Sequence, residues 1–242
     1  MPDIDDRLRR ERRIVRALGG ASDEALTLIM EALGDDIDIS RVTPEIWAEI
    51  QRRFSGVLLP ELEQLFIDQA LRLMDEVRVG IEWDVINTRA QTWARTYTFD
   101  LVKGINDNSR TALQQYVSNF FESGVTKGDL EDQIARLYGP VRGDMIATTE
   151  VTRASVQGEL AYGEELTKLG LNLVPIWQSR NDSAVCPICA PLNQVKQGDG
   201  WTIPPPAHVN CRCFLTYEVI SPTKSLHLLK DCTLKIITKD AA

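Results

Sequence analysis

No stretch of this chain stays apolar for the roughly 18–20 residues that a membrane-spanning helix needs, so no membrane role is expected. Basic charge is also scarce. Lys and Arg number 27 against 35 Asp and Glu, which leaves a formal net charge of −8. A body of that sign repels phosphate, and this argues against an independent, non-specific nucleic-acid binder. No collagen-like, Gln-rich or solenoid period runs through the chain. Histidine occurs twice and cysteine five times, and an odd cysteine count fits poorly with a fully paired secreted framework. The opening Met-Pro-Asp-Ile-Asp-Asp leads into arginines without an apolar leader core, so a reducing, cytosolic setting is the expectation. With 43% hydrophobic residues over 242 positions, the chain can bury a sizeable core as one large or two small domains.

The scarce cysteines are not scattered. Four of the five, and one of the two histidines, fall within the 28 residues from Cys186 to Cys213. The segment reads Cys186-Pro-Ile-Cys189, then Pro204-Pro-Pro-Ala-His208-Val-Asn-Cys211-Arg-Cys213. A Cys-x-x-Cys turn presents two thiolates at a spacing that chelates a tetrahedral ion, and a second donor group closes the site. Cys186, Cys189, His208, Cys211 and Cys213 offer five ligands for four positions, so four of the five would hold a structural zinc and one would stand aside. The preferred set is Cys186, Cys189, His208 and Cys211, with Cys213 as the alternate to His208. Disulfides between the two loops, or packed free thiols, are the competing readings. A thioredoxin-like role needs the Cys-x-x-Cys at a strand-to-helix turn inside a βαβ unit, and nothing around it reads that way.

Upstream of the cysteines stand Ile146-Ala-Thr-Thr-Glu150-Val-Thr-Arg153-Ala, then Gly158, then Trp177-Gln-Ser-Arg-Asn-Asp182. Together with the closing Pro-Pro-Ala-His-Val-Asn-Cys-Arg-Cys, this succession resembles the phage Mu F-like minor head protein family, also called the phage head morphogenesis family. The resemblance covers roughly residues 85–220, and its motifs lie within 146–215. Val209 departs from it, because the family usually has proline there. The resemblance implies a minor capsid protein of a tailed phage or prophage that acts in procapsid assembly. The implied partners are the portal protein, the major capsid protein or both. The implied location is the host cytoplasm during assembly and then the procapsid or virion. It also implies a structural protein and not an enzyme. A zinc-binding nucleic-acid or regulatory adaptor is the runner-up, and an enzyme using Glu150 or the Cys-His cluster is the third reading.

The chain before the cysteines reads as helices divided by Gly and Pro. Ser22 suits the cap of a short helix, with Asp23 and Glu24 in its first turn. Thr43-Pro44-Glu45 is a helix start. Pro60 opens a stretch that places Leu62, Leu65, Phe66, Leu73 and Val77 on one face. Ile86, Ala90, Trp93, Ala94, Tyr97 and Leu101 recur at helical spacing as far as Gly104. Leu113, Tyr116, Val117, Phe120 and Phe121 form another stripe before Gly124. Thr126 and Asp129 have capping-box spacing. After Gly139-Pro140 a long helix runs from about Val141 to Lys168. The aromatic stripes suit core packing. An assembly protein should nonetheless leave part of the 62–77 and 113–121 stripes exposed for a partner. Leu173–Trp177 and Phe214–Ile220 read as short strands. The expected fold is mainly α, with a helical N-terminal and central region and a small C-terminal β-knuckle pinned by the Cys/His cluster. The expected divisions are residues 1–82, a head-morphogenesis-like region 83–220 (helices 83–170, knuckle 171–220), and a tail 221–242.

Two further groups of residues stand out. Glu150 and Arg153 share one helical face, and with Trp177 and Asp182 they suit a structural clamp around the knuckle. Catalysis by Glu150 would need a second acid, nucleophile or phosphate loop, and none accompanies it. A His208–Cys211 protease pair would need an orienting third group and an oxyanion site. Arg7, Arg9, Arg10, Arg12 and Arg13 make the start locally basic and able to touch DNA or the portal, unless Asp3, Asp5, Asp6 and Glu11 merely offset an exposed face. In the tail, Leu226, Leu228, Leu229, Leu234, Ile236 and Ile237 suit an element that adds to a partner. His227 and Cys232 have no companions there.

Overall fold

The computed structural model describes residues 4–180 and 182–220. The tail residues singled out above, Leu226 to Ile237 with His227 and Cys232, lie outside them. Five α-helices lead into a two-stranded antiparallel sheet. They are α1 (Ile4–Leu33), α2 (Pro44–Val77), α3 (Trp83–Ser123), α4 (Lys127–Leu137) and α5 (Pro140–Lys168), followed by β1 (Asn172–Gln178) and β2 (Phe214–Ile220). The expected class, mainly α with a small C-terminal β-knuckle beside a Cys/His cluster, is the one observed.

Several boundaries follow the local chemistry. Pro44 supplies the fixed φ of a first helical turn after Thr43. Thr126 and Asp129 close a reciprocal capping box at the start of α4. Gly124 ends α3 at φ 65°, a left-handed conformation that suits a residue without Cβ.

Three expected breaks are overruled. Ser22 caps nothing: it is buried inside α1, whose stripe Ile14, Leu18, Ala21, Ala25, Ile29, Leu33 continues through Gly19-Gly20. The two glycines cost about 1 kcal/mol each, less than six buried apolar side chains return. Pro60 lies inside α2 rather than at its start. Both Pro60 and Gly56 are exposed, so the Gly56 carbonyl that loses its donor faces water. Gly104 is an exposed interior residue of α3, because Val102, Ile105, Leu113 and Val117 carry the buried stripe past it.

One core cluster runs from Ile14 to Ala154 and draws on all five helices. α2 lies at its centre, packed against α1, α3 and α5. α5 meets α2 at a glycine. A Cβ on Gly158 would fall 2.1 Å from the Phe66 carbonyl oxygen, so the two backbones touch there. In the 62–77 stripe Leu62, Leu65, Phe66 and Leu73 are buried within the chain, because α5 and α3 cover them, and Val77 is half-buried. In the 113–121 stripe Leu113 and Val117 are buried, and Phe121 is 65% exposed. The sheet lies over α5. Trp177 and Leu215 pack on Val156 at one end, and Leu173 and Tyr217 pack with Tyr162 and Leu166 at the other. No helix among the described residues is long and apolar enough to cross a membrane.

Candidate metal centre

Two loops converge beyond the sheet. The first folds tightly because the Cys186 carbonyl accepts from the N–H groups of both Cys189 (3.1 Å) and Ala190 (3.0 Å). The Cys189 N–H also lies 3.4 Å from Cys186 Sγ, a weak donor contact that favours a thiolate. The second loop turns at Asn210, whose φ of 64° brings Cys211 N–H to the His208 carbonyl at 3.2 Å. Trp177 and Trp201 meet edge to face at 5.5 Å beneath the loops.

The donors gather as the spacing implied. His208 Nε2 lies 3.0 Å from Cys186 Sγ and 3.3 Å from Cys189 Sγ, and Cys189 Sγ lies 3.8 Å from Cys211 Sγ. Cys186, Cys189 and His208 form one group of donors within 4.8 Å of each other, and Cys189, Cys211 and Cys213 form another. Cys189 is the shared member. No pair of these sulfurs is bonded: the four cysteines are free thiols, and 3.8 Å is far beyond a disulfide length of about 2.05 Å. Soft sulfurs with one imidazole are the donor set that suits a d¹⁰ ion, and the cluster can hold a metal. His208 is oriented for that task. Its Nδ1 lies 2.8 Å from the Val209 carbonyl, so Nδ1–H donates there and Nε2 keeps its lone pair for the sulfurs.

Charge is shared unevenly. The hydrogen bond from Cys213 is the largest influence on Cys211 and brings its thiol down to about 5. Burial, then the neighbouring Cys211 charge, pushes Cys189 up to about 12. The bond to Cys211, with burial, pushes Cys213 up as well. Burial of the Cys186 sulfur is outweighed by the Cys189 N–H and further donors, and its thiol is lowered.

The second loop is carried by α5. Thr149 Oγ1 accepts from Asn210 N–H at 2.7 Å, and Thr152 Oγ1 donates to the Cys211 carbonyl at 2.8 Å. Arg7 completes the fastening. It is only 9% exposed, donates to Thr152 Oγ1 at 2.7 Å, and reaches the Thr148 and Arg212 carbonyls. This corrects the reading of Arg7 as a surface contact for DNA or portal, since its guanidinium is spent inside the fold. The fastening was missed because its partners lie 141 to 205 positions away. No local pattern signals such a pairing. Arg10 is engaged by Asp6 and Asp68, Arg13 by Glu61, Arg9 lies near Asp6, and Arg9, Arg12 and Arg13 are exposed.

The four clamp residues do not meet at one place. Glu150 is 4% exposed and accepts from the Tyr97 hydroxyl at 2.6 Å, so it ties α5 to α3 and not to the knuckle. Arg153 pairs with Glu150 at 3.5 Å and lies over the Tyr97 ring at 5.2 Å. Burial raises the pKa of Glu150. Trp177 is core beneath the loops. Asp182 pairs with Arg212 at 2.7 Å and thereby joins the approach to the first loop with the second.

A family model described as "Phage Mu protein F like protein" matches residues 111–216. No curated protein and no solved structure matches the chain. The matched span runs from the last turns of α3 through α4, α5 and β1, takes in all five Cys and His donors, and stops inside β2. Over residues 111–216 the chain therefore matches the phage Mu protein F-like family.

Proposed function

We propose that this chain is a minor capsid protein that acts in procapsid assembly of a tailed phage or prophage, through contacts with the portal or the inner capsid wall. The family match over residues 111–216 carries the reading, because head morphogenesis is what that family implies. In this reading the protein works through surfaces rather than turnover. Glu150 supports that view, because its carboxylate is occupied by Tyr97 and Arg153.

The proposed metal is zinc, in a closed structural site of Cys186, Cys189, His208 and Cys211, with Cys213 donating to Cys211 from outside. When bound, zinc would cross-link the two loops of a knuckle too small to hold itself by burial. The proposed clamp consists of Glu150 and Arg153 of α5 against Tyr97 of α3, Trp177 under the loops, and Asp182 on Arg212. Arg9, Arg12 and Arg13 remain the proposed contact for portal or limited DNA. Residues 1–82 are proposed as a helical frame for the region 83–220, with 221–242 as a tail.

Mass spectrometry of purified proheads and particles, with portal co-purification, tests the reading. The chain should appear in proheads and co-purify with portal or major capsid protein. A partnerless chain missing from both proheads and particles overturns it.

A further inference from the structure

Five donors converge on the knuckle, and they do not form a single group. Cys186, Cys189 and His208 lie within 4.8 Å of each other, and so do Cys189, Cys211 and Cys213. Each group has three members, and the Cys189 sulfur belongs to both. The groups also differ in exposure. Cys186 and His208 are half-buried, whereas Cys189, Cys211 and Cys213 are all buried.

The division has a cause in the fold. The first group is built on the Cys186–Cys189 turn, which its own backbone bonds close, with His208 Nε2 at 3.0 and 3.3 Å from the two sulfurs. The second is built where the chain enters β2, and α5 holds it there. Thr152 Oγ1 donates to the Cys211 carbonyl at 2.8 Å, and Thr149 Oγ1 accepts from Asn210 N–H at 2.7 Å. Buried Arg7 reaches the carbonyl of Arg212, the residue between the two cysteines. Cys211 and Cys213 are therefore positioned by the helices and not by the first turn. A single tetrahedral ion takes four donors and leaves Cys213 without a metal. An ion that takes three donors uses all five, because the Cys189 sulfur counts in each group.

The chemistry of such an ion is narrow. It must bind thiolates strongly, accept three donors, and carry a low charge so that two ions can share one sulfur. Cuprous copper is a soft monovalent ion with these properties, and thiolate donors select it. Zinc is divalent and takes four donors, so two zinc ions here would each be short of a ligand. We propose that the knuckle is also a two-ion site for Cu(I). One ion binds Cys186, Cys189 and His208, and the other binds Cys189, Cys211 and Cys213, with the Cys189 thiolate bridging them. The site rests on the same cluster as the zinc reading, and it gives Cys213 a ligand's role that a single zinc does not. No electron transfer is involved: the ions enter as Cu(I), and each thiol releases its proton on binding.

The test uses the full chain carrying Cys232→Ser, so that the tail contributes no thiol, freshly reduced and kept free of oxygen. Cu(I) is added as its acetonitrile complex against a chromogenic Cu(I) chelator, and zinc is titrated separately. Copper should saturate at about two ions per chain and zinc at about one. X-ray absorption of the copper-loaded protein should show copper as a neighbour of copper, the signature of a shared thiolate. Cys213→Ser should halve the copper capacity and leave the zinc capacity unchanged, and its zinc uptake reports that the knuckle has folded. Copper saturating at about one ion per chain, no copper neighbour at copper, or full copper capacity in a zinc-binding Cys213→Ser protein each overturns the proposal. The first two results come from the parent protein, so they decide the matter even where the variant does not fold. Zinc uptake without the second copper overturns the two-ion site alone, and paired copper without zinc uptake overturns the zinc reading alone.

Discussion

Gly158→Ala is the sharpest perturbation the fold offers. The added Cβ would lie 2.1 Å from the Phe66 oxygen and 2.9 Å from its carbonyl carbon. The ordinary closest approach of carbon to a carbonyl oxygen is about 3.3 Å, so α2 and α5 must separate by roughly 1 Å. Neither helix can give that distance freely, because Leu62, Leu65 and Ala70 of α2 and Val151, Ala154 and Ala161 of α5 are all buried. Overpacking costs about 1–3 kcal/mol, and here the obstacle is main chain rather than a flexible side chain. Alanine recovers about 1 kcal/mol of helix propensity, which puts the net destabilisation at about 2 kcal/mol. For a chain of this size that lowers the melting temperature by about 4–8 °C. Gly163 provides the control on the same helix. Its Cβ would meet nothing within 4 Å, so Gly163→Ala should stabilise by up to about 1 kcal/mol. Thermal and urea denaturation of both variants measures the contrast. Adding Phe66→Ala should not rescue Gly158→Ala, because the clashing atoms belong to the backbone. A Gly158→Ala protein as stable as wild type, or one rescued by Phe66→Ala, refutes the close approach.

Freshly reduced protein should carry about one zinc per chain, and chelation should speed hydrogen exchange in residues 172–220 before the helices. Cys186→Ser or Cys189→Ser should lose the ion and Cys213→Ser should keep it; metal analysis that finds none refutes the site. Thr152→Val removes the donor to Cys211 and the acceptor for Arg7, so it should cost about 1–3 kcal/mol and loosen residues 208–213 in hydrogen exchange. Unchanged exchange there would show that α5 does not carry the loop. Burial holds the pKa of Glu159 at about 7 against an ordinary 4.5. Between those values the folded chain keeps a proton that the unfolded chain gives up, so this group's contribution falls as pH rises, by up to about 3 kcal/mol. Urea midpoints at pH 5 and pH 8 should differ more for wild type than for Glu159→Gln; equal differences refute it.

Features with local causes were legible in the sequence. The Thr126–Asp129 box, Pro44, Gly124 and the two strands need only their neighbours in the chain, and each appears where its residues imply. The donor cluster was legible for a similar reason, because two short loops carry all five donors. Breaks assigned to Ser22, Pro60 and Gly104 failed where a buried stripe continued across them, since burial on both sides outweighs a local cost of about 1–3 kcal/mol. The clamp was half legible. Glu150 and Arg153 do pair, but Tyr97, which receives them, lies 53 positions from Glu150 and carries no mark of that role.

Arg7 shows how far the site extends beyond its ligands. The family segment begins at residue 111, yet the loop holding His208, Cys211 and Cys213 is fastened by a side chain from the first turn of α1. α5, which presents Thr149 and Thr152 to that loop, is itself set by Phe66 of α2 against Gly158. Two of the supports that position the donors therefore come from the helices preceding the matched region. A basic residue that reads as a surface contact in sequence is buried because three oxygens, two of them main-chain carbonyls, need a donor there. Of Arg7, Arg9, Arg10, Arg12 and Arg13, the exposed ones are Arg9, Arg12 and Arg13.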